Sequence, residues 1–217
     1  MARGTNFGGI HSHTDLHLIQ QKVEVDPAEP KLNMIEIPGA DGAVDLTEQP
    51  GGRVTYKTRK ITWTFALYPG EDWDAKHRQV SNALNGRRCN VTLDSDPNYY
   101  YQARLSVAKH NVDGLLRQII VEAICQPYKL KQSPTKATLA LTTASKTLQL
   151  PNDRKPVIPT ITLTVPATLR WKGNSFSLNA GTHKVLGIEL TEGANTLEAN
   201  ATSGTGTLTV QYQEGSL

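Results

Sequence analysis

From Ile61 to Leu67 the chain alternates without a fault, with Ile61, Trp63, Phe65 and Leu67 on one side and Thr62, Thr64 and Ala66 on the other. A period of two marks a strand with one buried face, and residues 53–67 read as the longest strand of the chain. Tyr68-Pro69-Gly70 ends it. The period then lengthens. Trp73, His77, Val80 and Leu84 recur at helical spacing, Asp72 is placed to cap the start and Gly86 to close the end. This is the one convincing helix in the pattern, with His77 at the edge of its core face. Period two returns in CNVTLD (89–94), YYQARLSVAK (100–109) and LLRQIIVEAIC (115–125). In the second, Tyr101, Ala103, Leu105 and Val107 face inward. The third is apolar on both sides around Ile119, Ile120 and Val121, which places it centrally in its sheet. Asp113-Gly114 supplies a hairpin turn before it.

Upstream the pattern is less regular. Residues 11–18, HSHTDLHL, read as a strand with His11, His13, Asp15 and His17 on a polar face and Leu16 and Leu18 behind. The apolar set then moves to the odd register at Ile19, Val23 and Val25, so a bulge or break is expected near Ile19. After Asp26-Pro27 and Glu29-Pro30 comes MIEIPGADGAVDLTEQPGG. Here a short strand, Met34 to Ile37, is followed by the turn signals Pro38-Gly39, Asp41-Gly42 and Pro50-Gly51-Gly52. Residues 34–52 therefore read as a long, turn-rich hairpin excursion.

Beyond Cys125-Gln126-Pro127-Tyr128-Lys129 no helical period remains. Short strands are expected at Val157–Val165, around Phe176 and Leu178, at Lys184–Leu190 and at Thr207–Tyr212, which suits a compact β-sandwich or jelly roll. The fold class is thus mainly β: an N-terminal domain over residues 1–130 with one α-helix and the hairpin excursion, and a β-sandwich over residues 131–217.

Composition narrows the function. The chain has 217 residues, of which 38% are hydrophobic, enough for two thin β-domains and too little for one thick core. The net charge is +3, and its basic residues are spread along the chain rather than gathered in a stripe, which argues against nucleic-acid binding. Cys89 and Cys125 lie apart in strand-like runs and read as free buried thiols in a reducing compartment. The start shows no apolar stretch of the kind a secretory leader carries, and no apolar run is long enough to span a bilayer.

The chemistry that is present is sparse. His11 and His13, two apart on a strand, can converge on one ion, but His17 is too far along and His77, His110 and His183 are scattered. A polar strand face is the reading adopted, with no metal and no cofactor. Asp41 to Asp45 and Asp94-Ser95-Asp96-Pro97 lack the closing glutamate of a calcium loop and read as turns. There is no nucleophile elbow, no S-x-x-K, no reactive Cys beside a His and no glycine-rich phosphate loop. Trp171, in LRWKGNSF, is read as a core or edge residue. The alternative is a platform for sugar, which would make the chain a carbohydrate-binding adhesin or accessory module. The motifs argue against an enzyme.

The order of the pieces resembles the distal tail (Dit) protein family of siphophages. The resemblance rests on IPGADGAVDLTE (37–48), VTYKTRKITWTFAL (54–67), the Trp73 helix ending in LNGRRC, DSDPNYYYQARL (94–105), the strand into CQPYK (125–129), and the closing LTEGANTLEANATSGTGTLTVQYQEGSL. No single piece is specific, but their joint order is. Thr58 departs from the family, which often has Asn before the arginine matched by Arg59. The resemblance implies a structural protein of the virion, assembled in the host cytoplasm. An N-terminal β-sandwich with one helix builds a homohexameric ring, and a C-terminal galectin-like sandwich points outward. The ring would join the tail tube protein to the tail-tip hub protein and often carries a receptor-binding protein or fibre. DNA would pass through its lumen without specific binding, and no membrane is involved. Gly39, Asp41, Gly42, Asp45, Gln49 and Arg59 are the candidate subunit-interface residues. The excursion is expected to contact the adjacent subunit, because a reaching hairpin gains main-chain hydrogen bonds at little sequence cost.

Overall fold

The computed structural model describes residues 4–49, 51–108 and 118–217. The Asp113-Gly114 turn, His110 and Pro50 lie outside them. The chain divides into two compact units, Met1–Lys129 and Leu130–Leu217.

The first unit runs β1 (Thr5–Phe7), β2 (Ile10–His11), β3 (Leu18–Val25), β4 (Met34–Glu36), β5 (Ala43–Asp45), β6 (Arg59–Leu67), α1 (Trp73–Leu84), β7 (Arg88–Leu93), β8 (Tyr99–Val107) and β9 (Gln118–Cys125). Seven strands form one antiparallel path, β2-β1-β7-β8-β9-β6-β3. Phe7 of β1 packs edge-on against Trp63 of β6, with ring centroids 5.1 Å apart. Those strands are four steps apart, about 19 Å on a flat sheet. The sheet therefore folds over on itself and encloses Phe7, Trp63, Phe65, Ile61, Leu18 and Val121. The buried face of β6 is the one its alternation assigns. β9 lies between β8 and β6, as its apolar run requires, although Ile124 on its outer side is 64% exposed.

Helix α1 forms where the period-3.6 pattern places it. The Asp72 carboxylate accepts from the Asp74 amide, and the helix buries Trp73, Val80 and Leu84. Gly86, at φ +75°, turns the chain out of it. His77 stacks on Trp73 at 4.7 Å.

Two upstream expectations are corrected. Residues 12–16 form a turn, not a strand. The Ser12 hydroxyl accepts from the Thr5 amide and the Asp15 carboxylate from the His11 amide, and such local acceptors compete with a ladder. Leu16 and Leu18 are still buried, and strand pairing resumes at Leu18. The phase change appears as a register shift between Gln20 and Lys22, leaving Gln21 as the extra residue. The second correction concerns residues 53–58. They are not part of the long strand, which starts at Arg59, and only Tyr56 bridges, to Pro30. Pro27 and Pro30 remove amides a partner strand would need.

The second unit contains β10 (Lys129–Lys131), β11 (Thr135–Leu141), β12 (Lys146–Asn152), β13 (Thr160–Leu163), β14 (Ala167–Trp171), β15 (Asn174–Leu178), β16 (Gly181–His183), β17 (Gly193–Ala201), β18 (Gly206–Tyr212) and β19 (Gly215–Ser216). Its two four-stranded antiparallel sheets run β11-β18-β13-β16 and β12-β17-β14-β15. Between them lie Ile161, Leu163, Leu169, Leu197, Leu208 and Val210. The stretch Lys184–Leu190 is not a strand. The Ile188 amide turns back to the Val185 carbonyl, and Gly187 lies against Phe176, whose ring a Cβ would meet at 2.7 Å. The expected strand at 157–165 shortens to β13, with Val157 held only by a bridge to Leu190.

Candidate functional site

The excursion between β3 and β6 stands on a short ladder. The Lys57 amide donates to the Glu29 carbonyl and the Lys31 amide to the Thr55 carbonyl, both at 2.8 Å. Above it β4 and β5 pair antiparallel, Met34 with Asp45, Ile35 with Val44 and Glu36 with Ala43. Their tip turns through Gly39 and Gly42, at φ +85° and +76°, a backbone region open mainly to glycine. The Asp45 carboxylate accepts from the Thr47 amide at 2.9 Å. Bonds from the Thr47 hydroxyl and amide hold that carboxyl below its usual range.

Met34 and Ile35 are neighbours and point to opposite faces of the hairpin, yet they are 50% and 47% exposed. Leu32, Ile37 and Val44 are exposed as well. A monomer leaves single apolar side chains in water without consequence, so five of them exposed on one short excursion make it the candidate interaction site. At the base of the excursion Pro30, Leu32, Leu46, Thr47 and Val54 line an open groove of about 720 Å³.

Of the interface residues expected from the sequence, Gly39, Asp41, Gly42, Asp45 and Gln49 all lie on this excursion and are exposed. Arg59 does not join them. It opens β6, opposite Cys125, and is 8% exposed. The apolar members Leu32, Met34, Ile35, Ile37 and Val44 were not singled out by sequence. The signal available was an apolar run in a segment with no apolar partner strand.

The remaining candidates resolve into structural roles. His11 Nε2 lies 3.2 Å from an Asp94 oxygen, and its Nδ1 accepts from the His13 and Thr14 amides. His13 lies beside Tyr68. Among the described residues no three His, Cys, Asp or Glu side chains gather to hold a metal. Asp94 also accepts from the Gly4 amide at 2.7 Å, so its loop anchors the start of the first unit. Trp171 is 3% exposed and Lys172 Nζ sits 5.4 Å from its ring centre, so the ring offers no platform for a sugar. Burial pushes the Cys125 thiol up to about 12 and raises that of Cys89. Among the described residues no helix is long and apolar enough to cross a membrane, which leaves β-barrels aside.

A folded-over sheet with one helix and a separate hairpin, followed by a two-sheet sandwich, is an architecture similar to that of a phage hub protein. One solved structure with this architecture is that of SPP1 Dit (gp 19.1), described as a paradigm of the hub adsorption apparatus in phages infecting Gram-positive bacteria. It matches with a TM-score of 0.66 at 16% identity, over 98% of this chain and 99% of that one. The chain thus has a Dit-like fold, and the likeness takes in both units. A de novo designed double-stranded β-helix covers 38% of the chain at 19% identity and a TM-score of 0.29, too low to carry an argument. No family model matches the sequence, and no curated protein does.

Proposed function

We propose that this chain is a non-enzymatic structural protein of a siphophage tail tip, a distal tail protein whose first unit assembles into a six-membered ring. The carrying observation is the free-standing hairpin with apolar side chains on both faces, within a fold shared with SPP1 Dit over nearly the whole chain. An element whose apolar side chains stay about half exposed in its own protomer gains most of its burial only when another chain covers it. The hairpin of one copy meets the next, and repetition of this head-to-tail contact closes a ring.

On this reading Gly39, Asp41, Gly42, Asp45 and Gln49 lie at the subunit contact. The ring connects the tail tube to the tail-tip hub protein, and the second unit, a galectin-like sandwich, points outward toward a fibre or receptor-binding protein. The lumen passes DNA without gripping it, because tight phosphate contacts would retard the genome. Native mass measurement and negative-stain imaging of the purified chain test this. Six copies of 23.7 kDa, about 142 kDa, and ring-shaped particles are expected. Deleting residues 38–51 should leave monomers. A wild-type chain that stays monomeric at high concentration overturns the reading.

A further inference from the structure

Arg59 is a buried cation with no anion paired to it among the described residues. It is 8% exposed, and its Nε is enclosed with no hydrogen-bond partner. Its guanidinium carbon lies 5.8 Å from the centre of the Tyr101 ring, and Cys125 stands opposite it in the ladder. Asp96 lies at the same end of the sheet, but its carboxylate is taken by Lys129 at 2.8 Å. Among the described residues no carboxylate pairs with Arg59. Its terminal nitrogens are neither bonded nor among the enclosed unpartnered atoms, so they open to the surface. An aromatic face compensates a desolvated guanidinium only in part. Such a group is costly to keep unless a carboxylate arrives to meet it.

The excursion carries the complementary charge. Residues 32–52 contain Glu36, Asp41, Asp45 and Glu48 and no Lys or Arg. Asp45 is tied to Thr47. Glu36 and Asp41 flank the tip, are exposed and pair with no basic group among the described residues. Within one protomer Arg59 follows the foot of the ladder at Glu29 and Lys57, whereas the tip stands about ten residues beyond it, a reach of up to roughly 30 Å when extended, and neither acid pairs with Arg59. The tip of a second copy has no such tether.

We infer that Arg59 is an anion socket completed in trans, closed by Glu36 or Asp41 from the hairpin of a second copy. This rests on the self-assembly proposed above and names the polar contact that fixes it. A guanidinium presents paired donors to a carboxylate in fixed geometry, so the contact sets the register of an otherwise apolar and slippery hairpin.

The full-length chain tests this by native mass spectrometry across a dilution series, which reads the concentration of half-assembly. Arg59→Gln, and separately Glu36→Gln with Asp41→Asn, should each raise that concentration at least tenfold. The triple variant should be no worse than either, since both remove one contact. Arg59→Lys should recover only part of the loss. If Arg59→Gln fails to fold by circular dichroism, the hairpin variant, altered only at exposed positions, decides the matter. An assembling wild type with either charge-neutral variant assembling at the wild-type concentration, or with additive losses in the triple variant, overturns the socket while leaving the ring intact. A wild type that never assembles overturns both.

Discussion

Phe7 and Trp63 meet edge-to-face at 5.1 Å although their strands lie four places apart in the sheet. Phe7 also meets Phe65 at 6.4 Å, so one side chain from a three-residue strand joins the two ends of the folded sheet across its core. Phe7→Ala should cost about 3–5 kcal/mol. Urea unfolding followed by tryptophan fluorescence should show this as a loss or early transition of the first unit.

The exposed apolar hairpin predicts the opposite combination. Changing Met34, Ile35 and Val44 together to Ser removes only the half-exposed packing of the hairpin on itself and nothing from either core, so stability should shift by no more than about 0.5 kcal/mol per site. Assembly should nonetheless fall at least tenfold. Thermal melting of the dilute chain and mass measurement of the concentrated one separate the two effects.

Glu214 gives the second unit an acid limit. Burial raises its carboxyl, but hydrogen bonds from Lys131 and Thr135 outweigh burial and leave it below its ordinary value of 4.5. Its stabilisation is therefore complete above that pH and is lost as pH falls through the lowered folded value. Denaturation midpoints should drop in this window, and Glu214→Gln should flatten the drop. Lys131→Met removes a partner only 2.6 Å away. The loss should be about 2 kcal/mol at neutral pH, less than for a fully buried pair because Lys131 is a third exposed.

The thiols make a kinetic prediction. With Cys125 held at about 12 and Cys89 raised by burial, little thiolate forms at pH 8. Native protein should react slowly with Ellman's reagent at Cys89 and not at Cys125, and denaturant should release both. Rapid reaction of two thiols in the native state would contradict the packing described.

What the residues revealed and what they hid have separate physical origins. Strand β6 and helix α1 were legible because Trp63, Phe65, Val80 and Leu84 are large, and the period of large side chains reports directly on which face is buried. The turn at residues 12–16 was hidden because the side chains of Ser12 and Asp15 bind amides over a few residues, which alternation does not register. Strands β11, β12, β14 and β17 went unread because their inward positions mix Leu with Ala, Thr and Asn, as in Ala137, Ala199 and the buried Asn195. Arg59 shares its phase with Ile61 and Trp63, so its burial could be read from the pattern. The absence of a partner could not. Likewise Met34 and Ile35 read as a strand, but periodicity does not tell whether anything lies against it.

The unmatched residue Gln21 sits in β3, the border strand of the seven-strand path, whose outer amides and carbonyls face no other strand among the described residues. A straight border of eight residues is a template for open-ended stacking into fibres. An irregularity in mid-strand, beside the charged Lys22 and Glu24, twists that border out of the flat geometry stacking demands. If the chain assembles as proposed, this border is what keeps that assembly from running on without limit.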